Sequence, residues 1–307
     1  MSYNQEIPLG LEKPEVLNRI YAIQQELKEG LIIEDAGLTA YTKGVNPLSP
    51  GCKTCKEGTW LCLFSGYHCN LQCSYCPQKN EGMQDHTKSF VNIWTEDIKT
   101  YLSLFGGLHI KGVGYSGGEP FMYLPKILDV ANFIKKEKPS IYQWIYTNGL
   151  LVTEDSMKEA QDAGISEIRF HISASDFSEE VISKMKKASK IFDKVTTENP
   201  SVEKVRDYFV DNSGLRIMED CGVTQLNLAE TYFTNGNGDG YSIDEKYWYN
   251  THFSHAESLI ASRFWTYEII RKAIETKSNI TVNDCSNDAK FLQLMKKKMN
   301  PILQHIG

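Results

Sequence analysis

Between Glu12 and Glu29 apolar side chains stand at Val16, Leu17, Ile20, Ile23 and Leu27, three or four positions apart, which predicts one amphipathic helix ended by Gly30. From residue 60 the pattern changes. Short β-branched and apolar runs predict strands over Trp60–Gly66, Ile110–Tyr115, Ile141–Tyr146, Glu167–Ile172, Asp193–Thr197 and Gln225–Ala229. The segments Leu124–Lys138, Glu154–Ala163, Glu179–Ser189 and Val202–Asp220 are amphipathic and of crossover length, and strands alternating with such helices are the signature of a parallel sheet. An internal echo supports the register. Residues 157–170 run parallel to 215–228, each a helical pattern that ends in a glycine, Gly164 or Gly222, before a short strand; this is a repeated structural unit rather than a solenoid.

A chain of 307 residues suits one α/β barrel, a fold that runs to about 250 residues or more as a unit. The net charge of −6 argues against nucleic acid as an obligatory partner, because phosphate binding wants a basic face. The basic run Lys296-Lys297-Lys298 reads as the solvated side of a last helix. No apolar stretch reaches the roughly 18 residues of a membrane span, and the N-terminus has no signal-peptide core. The expectation is a cytoplasmic protein with no membrane attachment. Eight cysteines in such a compartment point to metal or catalysis before disulfides.

Three of those cysteines lie in His68-Cys69-Asn-Leu-Gln-Cys73-Ser-Tyr-Cys76-Pro77. Three thiolates can wrap a soft metal centre, but Fe–S clusters normally take four cysteines. An open coordination position is what separates catalytic from structural metal sites; a zinc knuckle or three unrelated thiols are the rival readings. Some forty residues on, a predicted strand runs into Ser116-Gly117-Gly118-Glu119-Pro120. Glycines there bare the backbone, so a ligand's amino group can approach main-chain carbonyls, and Glu119 can partner an ammonium. Alone, such a sequence is commonly just a turn.

Together the CxxxCxxC spacing and the Gly-Gly-Glu-Pro motif resemble the radical S-adenosylmethionine (SAM) superfamily. The resemblance implies a partial (β/α)6 TIM-like barrel of parallel strands, here with an N-terminal helical and cysteine-bearing extension and a C-terminal helical extension. It also implies a [4Fe–4S] cluster on Cys69, Cys73 and Cys76, with SAM filling the fourth position. Reduced by one electron, that cluster breaks a C–S bond of SAM to give methionine and a deoxyadenosyl radical, which abstracts a substrate hydrogen. The protein positions the cofactor and excludes water. Barrel chemistry sits at the C-terminal ends of strands. Gly117, Gly118, Glu119 and Pro120 form the SAM-binding motif there, Tyr75 takes the aromatic position near the adenine, and Asn148 and Ser173 stand where polar contacts to the SAM ribose and carboxylate are placed. Capping of the following helix is the rival reading for each of the last two. His171 and Glu230 are the substrate-side candidates, since ionisable groups at a barrel mouth need a partner or a task. Met122 reads as core.

A second cysteine set precedes the first strand: Cys52 and Cys55 in a CxxC pair, then Cys62, a spacing that predicts a tight loop and strand of metal-knuckle type. Of the two remaining cysteines, Cys221 matches Ala163 in the echo and reads as core. Cys285 lies between a short strand and a helix, where exposed N–H groups favour a thiolate. The expectation is a second [4Fe–4S] cluster on Cys52, Cys55, Cys62 and Cys285; zinc on the same thiolates and inert core cysteines are the alternatives. Cys62 low on its strand and Cys285 at the end of another is a topological difficulty. Four protein ligands would favour electron removal from a substrate radical, three an open substrate-binding position.

The expected organisation is 1–59 as the N-terminal helix and cysteine extension, 60–230 as the barrel, and 231–307 as a lid loop with C-terminal helices. Residues 231–255, rich in Asn, Gly, Tyr and Trp, read as that lid or as a surface insertion. The first fifty residues show no winged-helix pattern. The expected partners are a small-molecule or peptide substrate and an electron donor such as flavodoxin or ferredoxin. The general pattern, including the late Asp284-Cys285-Ser286 turn, resembles a group related to glycyl-radical-enzyme activating proteins, so activation of a glycyl-radical protein competes with oxidation of a small metabolite or peptide side chain. A non-catalytic Fe–S or zinc scaffold is the reading from another class.

Overall fold

The computed structural model describes residues 7–77, 87–105, 109–233, 237, 240–250 and 255–299. In chain order its elements are α1 (Lys13–Glu26), β1 (Leu31–Glu34), β2 (Thr39–Thr42), α2 (Pro50–Glu57), β3 (Trp60–Phe64), α3 (Thr87–Phe105), β4 (Gly112–Ser116), α4 (Leu124–Glu137), β5 (Tyr142–Thr147), α5 (Glu154–Asp162), β6 (Glu167–Phe170), α6 (Glu179–Ala188), β7 (Lys194–Pro200), α7 (Glu203–Val210), α8 (Gly214–Asp220), β8 (Gln225–Ala229), β9 (Tyr232–Phe233), β10 (Lys246–Asn250), β11 (His255–Leu259), α9 (Ile260–Glu275), β12 (Thr281–Cys285) and α10 (Asn287–Met299). All six strands expected between residues 60 and 230 are present, as β3 to β8, in the mixed α/β, partial-barrel class. By internal contacts the chain forms two units, one of residues 48–72, 79–196 and 292–307, the other of 1–47, 73–78 and 197–291.

In the first unit β3, β4, β5 and β6 pair in parallel, with Cys62 opposite Gly114, Gly114 opposite Trp144, and Trp144 opposite Glu167. Side chains alternate between the two faces of such a sheet. One face carries Val113, Tyr115, Ile145, Ile168 and Phe170 and is fully buried with Ile127, Val130 and Ile134 of α4, Met157 of α5 and Val181 of α6; each such burial contributes about 1.5–3 kcal/mol. The opposite face receives α2. A Cβ at Gly112 would lie 2.5 Å from Thr54 Oγ1, and one at Gly114 would lie 2.5 Å from the Trp144 indole, so these strand glycines make room for the helix and the ring. On the same face Arg169 donates to Glu167 Oε1 at 2.7 Å and stacks 5.0 Å over Trp144 and 5.4 Å over Tyr146. A further tie, to Ser49 Oγ at 3.3 Å, fixes the residue that caps α2.

The second unit holds the antiparallel hairpin β1–β2, with β2 antiparallel to β12 and β12 parallel to β8. A separate antiparallel sheet runs β10–β11–β9. A buried polar network sits under the end of β8. Glu230 accepts from Ser258 Oγ at 2.5 Å, from Tyr247 Oη and from the Asn287 N–H at 2.8 Å. Arg263 donates to Asp284 at 2.6 Å, and Tyr267 bridges Asp284 and Gln24. Removing one member of such a set strands another buried polar group.

Several sequence expectations change. Residues 50–57 are a helix, not a tight knuckle. Ser49 accepts from the Cys52 N–H, Pro50 opens the first turn and Gly58 closes the helix in the left-handed region, a start and stop pattern visible in the sequence. The helix expected over 202–220 is two, because Ser213 adopts φ 59° in an Asp-Asn-Ser-Gly stretch that favours turns. The stretch 231–255 is partly sheet, since aromatic residues such as Tyr247 and Trp248 suit strands; its residues 234–236, 238–239 and 251–254 lie outside the described ones. The hairpin β1–β2 was not anticipated, its strands being only four residues each. Met122 is 41 % exposed rather than core, while Cys221 is buried. Lys297 does not face open solvent: it lies 5.1 Å over the Trp60 ring, and burial pulls its ammonium below the usual range against the opposing influence of Cys62 and Cys55. No helix among the described residues is long and apolar enough to cross a membrane.

Candidate active site at the ends of β3, β4 and β5

The loops leaving β3, β4 and β5 are tied to one another by backbone and short polar side chains. The Ser65 N–H donates to Ser116 O at 2.7 Å, Gly118 N–H to Gly66 O at 2.8 Å and Glu119 N–H to His68 O at 2.8 Å. His68 in turn gives its own N–H to Tyr123 Oη at 2.9 Å. The cysteine loop therefore lies directly on the glycine motif. Closeness of this kind requires glycine. A Cβ on Gly118 would run into the His68 carbonyl oxygen and come within 2.8 Å of Tyr67 O, so the space the missing side chain leaves is filled by the cysteine loop's own backbone.

Glu119 is fully buried. Its carboxylate accepts from Phe121 N–H at 3.0 Å, Thr147 Oγ1 at 2.9 Å and Asn148 N–H at 2.7 Å, so it braces the β4 loop against the end of β5. Pro120 follows it in a buried turn. Burial pushes the Glu119 carboxyl above its usual range, and the hydrogen bonds from Asn148, Phe121 and Thr147 hold it back. Glu119→Ala is expected to cost about 1–3 kcal/mol by leaving buried donors unpaired. The folded chain takes up this proton at a higher pH than the unfolded one, so the residue's contribution is greatest below the unfolded value and fades as pH rises through the folded one. Urea unfolding should show a larger deficit for Glu119→Ala at pH 5 than at pH 8; an equal deficit would detach the brace from the carboxyl's ionisation.

Asn148 gives its side-chain amide to Asn70 Oδ1 at 2.7 Å, with Cys69 Sγ 3.8 Å away. Its own Oδ1 accepts from Leu150 N–H at 3.0 Å. Ser173 is fully buried in a turn after β6, and His171 ends that strand with its N–H on Thr147 O at 2.8 Å.

In the other unit Cys73 and Cys76 close a turn, the Cys76 N–H donating to Cys73 O at 3.0 Å. Burial pushes the Cys73 thiol up, and a hydrogen bond with the Tyr75 side chain opposes it. Lys204 of α7 lies 5.6 Å over the Tyr75 ring. Asn237 donates to Tyr75 O at 2.9 Å and to Tyr232 O at 3.2 Å. Both oxygens of Glu230 are engaged in the network under β8.

Cys69, Cys73 and Cys76 are half-buried, as are Cys55 and Cys285, while Cys52 is buried and Cys62 exposed. No group of three or more His, Cys, Asp or Glu side chains converges to metal-ligating distance among the described residues. The residues that brace these loops, Asn70, Tyr123 and Thr147 in one unit and Lys204 and Asn237 in the other, were not singled out in the sequence. Asn70 carried a signal as a polar spacer inside the cysteine motif; Lys204 and Tyr123 carried none.

Residues 63–224 match the model of the radical SAM superfamily. Over 265 residues the chain is 25 % identical to a protein of Methanocaldococcus jannaschii provisionally assigned as a glycyl-radical enzyme activating enzyme, covering 82 % of this chain and 67 % of that one. The crystal structure of Streptococcus suis SuiB is similar in fold, with a TM-score of 0.51 at 14 % identity over 77 % of this chain; the chain spans about half, 52 %, of that protein's length. Because the family model covers more than half of its residues, the chain belongs to the radical SAM superfamily.

Proposed function

We propose that Cys69, Cys73 and Cys76 hold a [4Fe–4S] cluster at which SAM is cleaved to initiate hydrogen abstraction from a substrate. One observation carries this reading. The cysteine loop and the Gly-Gly-Glu-Pro loop, at the C-terminal ends of paired parallel strands, are fastened by hydrogen bonds from Gly118 and Glu119 to Gly66 and His68. The family implies SAM and one [4Fe–4S] cluster, and the donor chemistry fits both. Three half-buried thiols are one short of the four a cluster takes. When bound, the reduced cluster supplies the electron that splits SAM into methionine and a 5′-deoxyadenosyl radical. The chain's own residues orient and shield. Gly117 and Gly118 offer main-chain carbonyls to the SAM amino group while the space of their missing side chains is taken by the cysteine loop, Asn148 and Ser173 supply polar contacts, Tyr75 packs by the adenine, and Glu119 with Pro120 fixes the motif's shape. His171 serves the substrate side directly, and Glu230 through its hydrogen-bonded neighbours.

The substrate is a small molecule or a peptide side chain, with flavodoxin or ferredoxin as the class of electron donor. A second reading, activation of a glycyl-radical protein, is favoured by the assignment of the archaeal relative. Anaerobically reconstituted protein given dithionite and SAM should release 5′-deoxyadenosine. Reconstituted iron with no deoxyadenosine would sink the reading.

We also propose the second [4Fe–4S] cluster on Cys52, Cys55, Cys62 and Cys285. Its support is limited to placement: Cys52 and Cys55 stand three apart on α2, where side chains neighbour one another, and Cys62 and Cys55 both influence Lys297. Reconstituted protein should carry about eight irons per chain, and the variant with Cys69, Cys73 and Cys76 all changed to Ala about four, as for one four-cysteine cubane. Zinc in that variant would make the site structural; no metal at all would remove it.

A further inference from the structure

Tyr75, directly before the third cysteine, is held on two sides by groups that the cysteine and glycine motifs do not contain. Asn237 donates one amide to both Tyr75 O and Tyr232 O, so it fixes the main chain between Cys73 and Cys76. Lys204, at the second position of α7, places its ammonium 5.6 Å over the Tyr75 ring, within cation–π range. The Tyr75 side chain hydrogen-bonds the Cys73 sulfur. A fixed positive charge thus stands one aromatic ring away from a cysteine sulfur, and the charge, ring and sulfur all belong to one compact unit.

Resting on the cluster reading above, we infer that Lys204, acting through Tyr75, is a positioning residue that raises the reduction potential of the cluster bound by Cys69, Cys73 and Cys76. Reduction adds negative charge to the cluster, and both a nearby cation and a hydrogen bond to a ligand sulfur stabilise the reduced form. An ammonium over the phenol ring polarises the hydroxyl and strengthens its hydrogen bond to sulfur. Lys204 is exposed, so solvent screens the effect. A charge several ångströms away, at the effective dielectric of a protein surface and so discounted, shifts the reduction equilibrium roughly threefold to tenfold. Asn237 holds the Tyr75 main chain, which keeps the ring's attachment point in place beside Cys73. Neither residue needs to touch SAM or substrate.

The test is an anaerobic redox titration of the reconstituted full-length chain, following the reduced-cluster EPR signal that changes when SAM is added. Lys204→Met keeps the apolar stem and removes the charge. It should retain wild-type iron and lower the reduced fraction at a fixed potential by about threefold to tenfold, a shift of up to ~59 mV for a one-electron couple. Lys204→Arg should restore the wild-type value, and Tyr75→Phe should shift it in the same direction as Lys204→Met. An unchanged potential in Lys204→Met with full iron would overturn the inference and leave the cluster reading intact. Loss of iron in Lys204→Met would also overturn it, making the residue a brace of the loop. If the wild-type chain itself gives no SAM-responsive signal, the cluster reading fails, independently of Lys204.

Discussion

Replacing Cys69, Cys73 or Cys76 by alanine, one at a time, is expected to reduce 5′-deoxyadenosine formation to background. The radical SAM family implies a cluster that takes three protein thiolates and leaves the fourth position to SAM. With one thiolate gone, two protein ligands and SAM remain for a cubane that normally has four ligands, and a metal site assembled by a loop loses affinity steeply with each ligand. The fold should survive. All three thiols are half-buried on a loop, outside the apolar layer between β4 to β6 and α4 to α6, so alanine removes few packing contacts. Far-UV circular dichroism should therefore match wild type while the SAM-responsive EPR signal disappears. Wild-type deoxyadenosine yield from any one of the three variants would refute the ligand assignment. A yield lost together with the circular dichroism would place that cysteine in the fold instead.

Much of this arrangement could be read before any coordinates. The strands β3 to β8 were marked by short apolar runs, because a strand buried on a parallel sheet must be apolar or β-branched on its helix-covered face, as Val113, Ile145 and Ile168 are. The junctions marked by Gly164 and Gly222 were equally plain, both glycines adopting the left-handed φ, 100° and 79°, that ends a helix. What escaped was structure written in short or mixed signals. The four-residue strands β1 and β2 are too brief for a period of two to stand out, and β10 and β11 were hidden by the polar residues around Tyr247 and Trp248. The helix α2 escaped for a different reason: its cysteines drew the reading toward a metal loop, although Ser49, Pro50 and Gly58 spelled a capped helix. The site divides in the same way. Cysteine spacing and the glycine motif name the chemistry, because few residue types ligate iron. The braces are ordinary polar residues brought together by folding: Asn70 meets Asn148 across 78 positions of sequence, and Thr147 meets Glu119 across 28.

Gly118→Val is expected to abolish iron retention and SAM cleavage together. From the sequence alone the glycine pair reads as a cradle for the SAM amino group, and on that view a larger side chain would weaken SAM binding and leave the iron alone. The geometry changes the expectation. A Cβ at Gly118 meets the His68 carbonyl oxygen, lies 2.6 Å from His68 C and 2.8 Å from Tyr67 O, all backbone atoms of the segment that leads into Cys69. Backbone cannot rotate aside as a side chain can, so the clash is relieved only by separating the two loops. That separation breaks the Gly118 N–H to Gly66 O and Glu119 N–H to His68 O hydrogen bonds, a loss of about 1 kcal/mol each added to the 1–3 kcal/mol typical of overpacking. Gly240→Ala is the control, since nothing among the described residues lies within 4 Å of its added Cβ; it should leave iron and activity unchanged. Iron content and deoxyadenosine yield measured side by side decide the matter. Wild-type iron with only SAM affinity lost in Gly118→Val would mean that the cysteine loop tolerates the displacement and that the glycine faces the ligand after all.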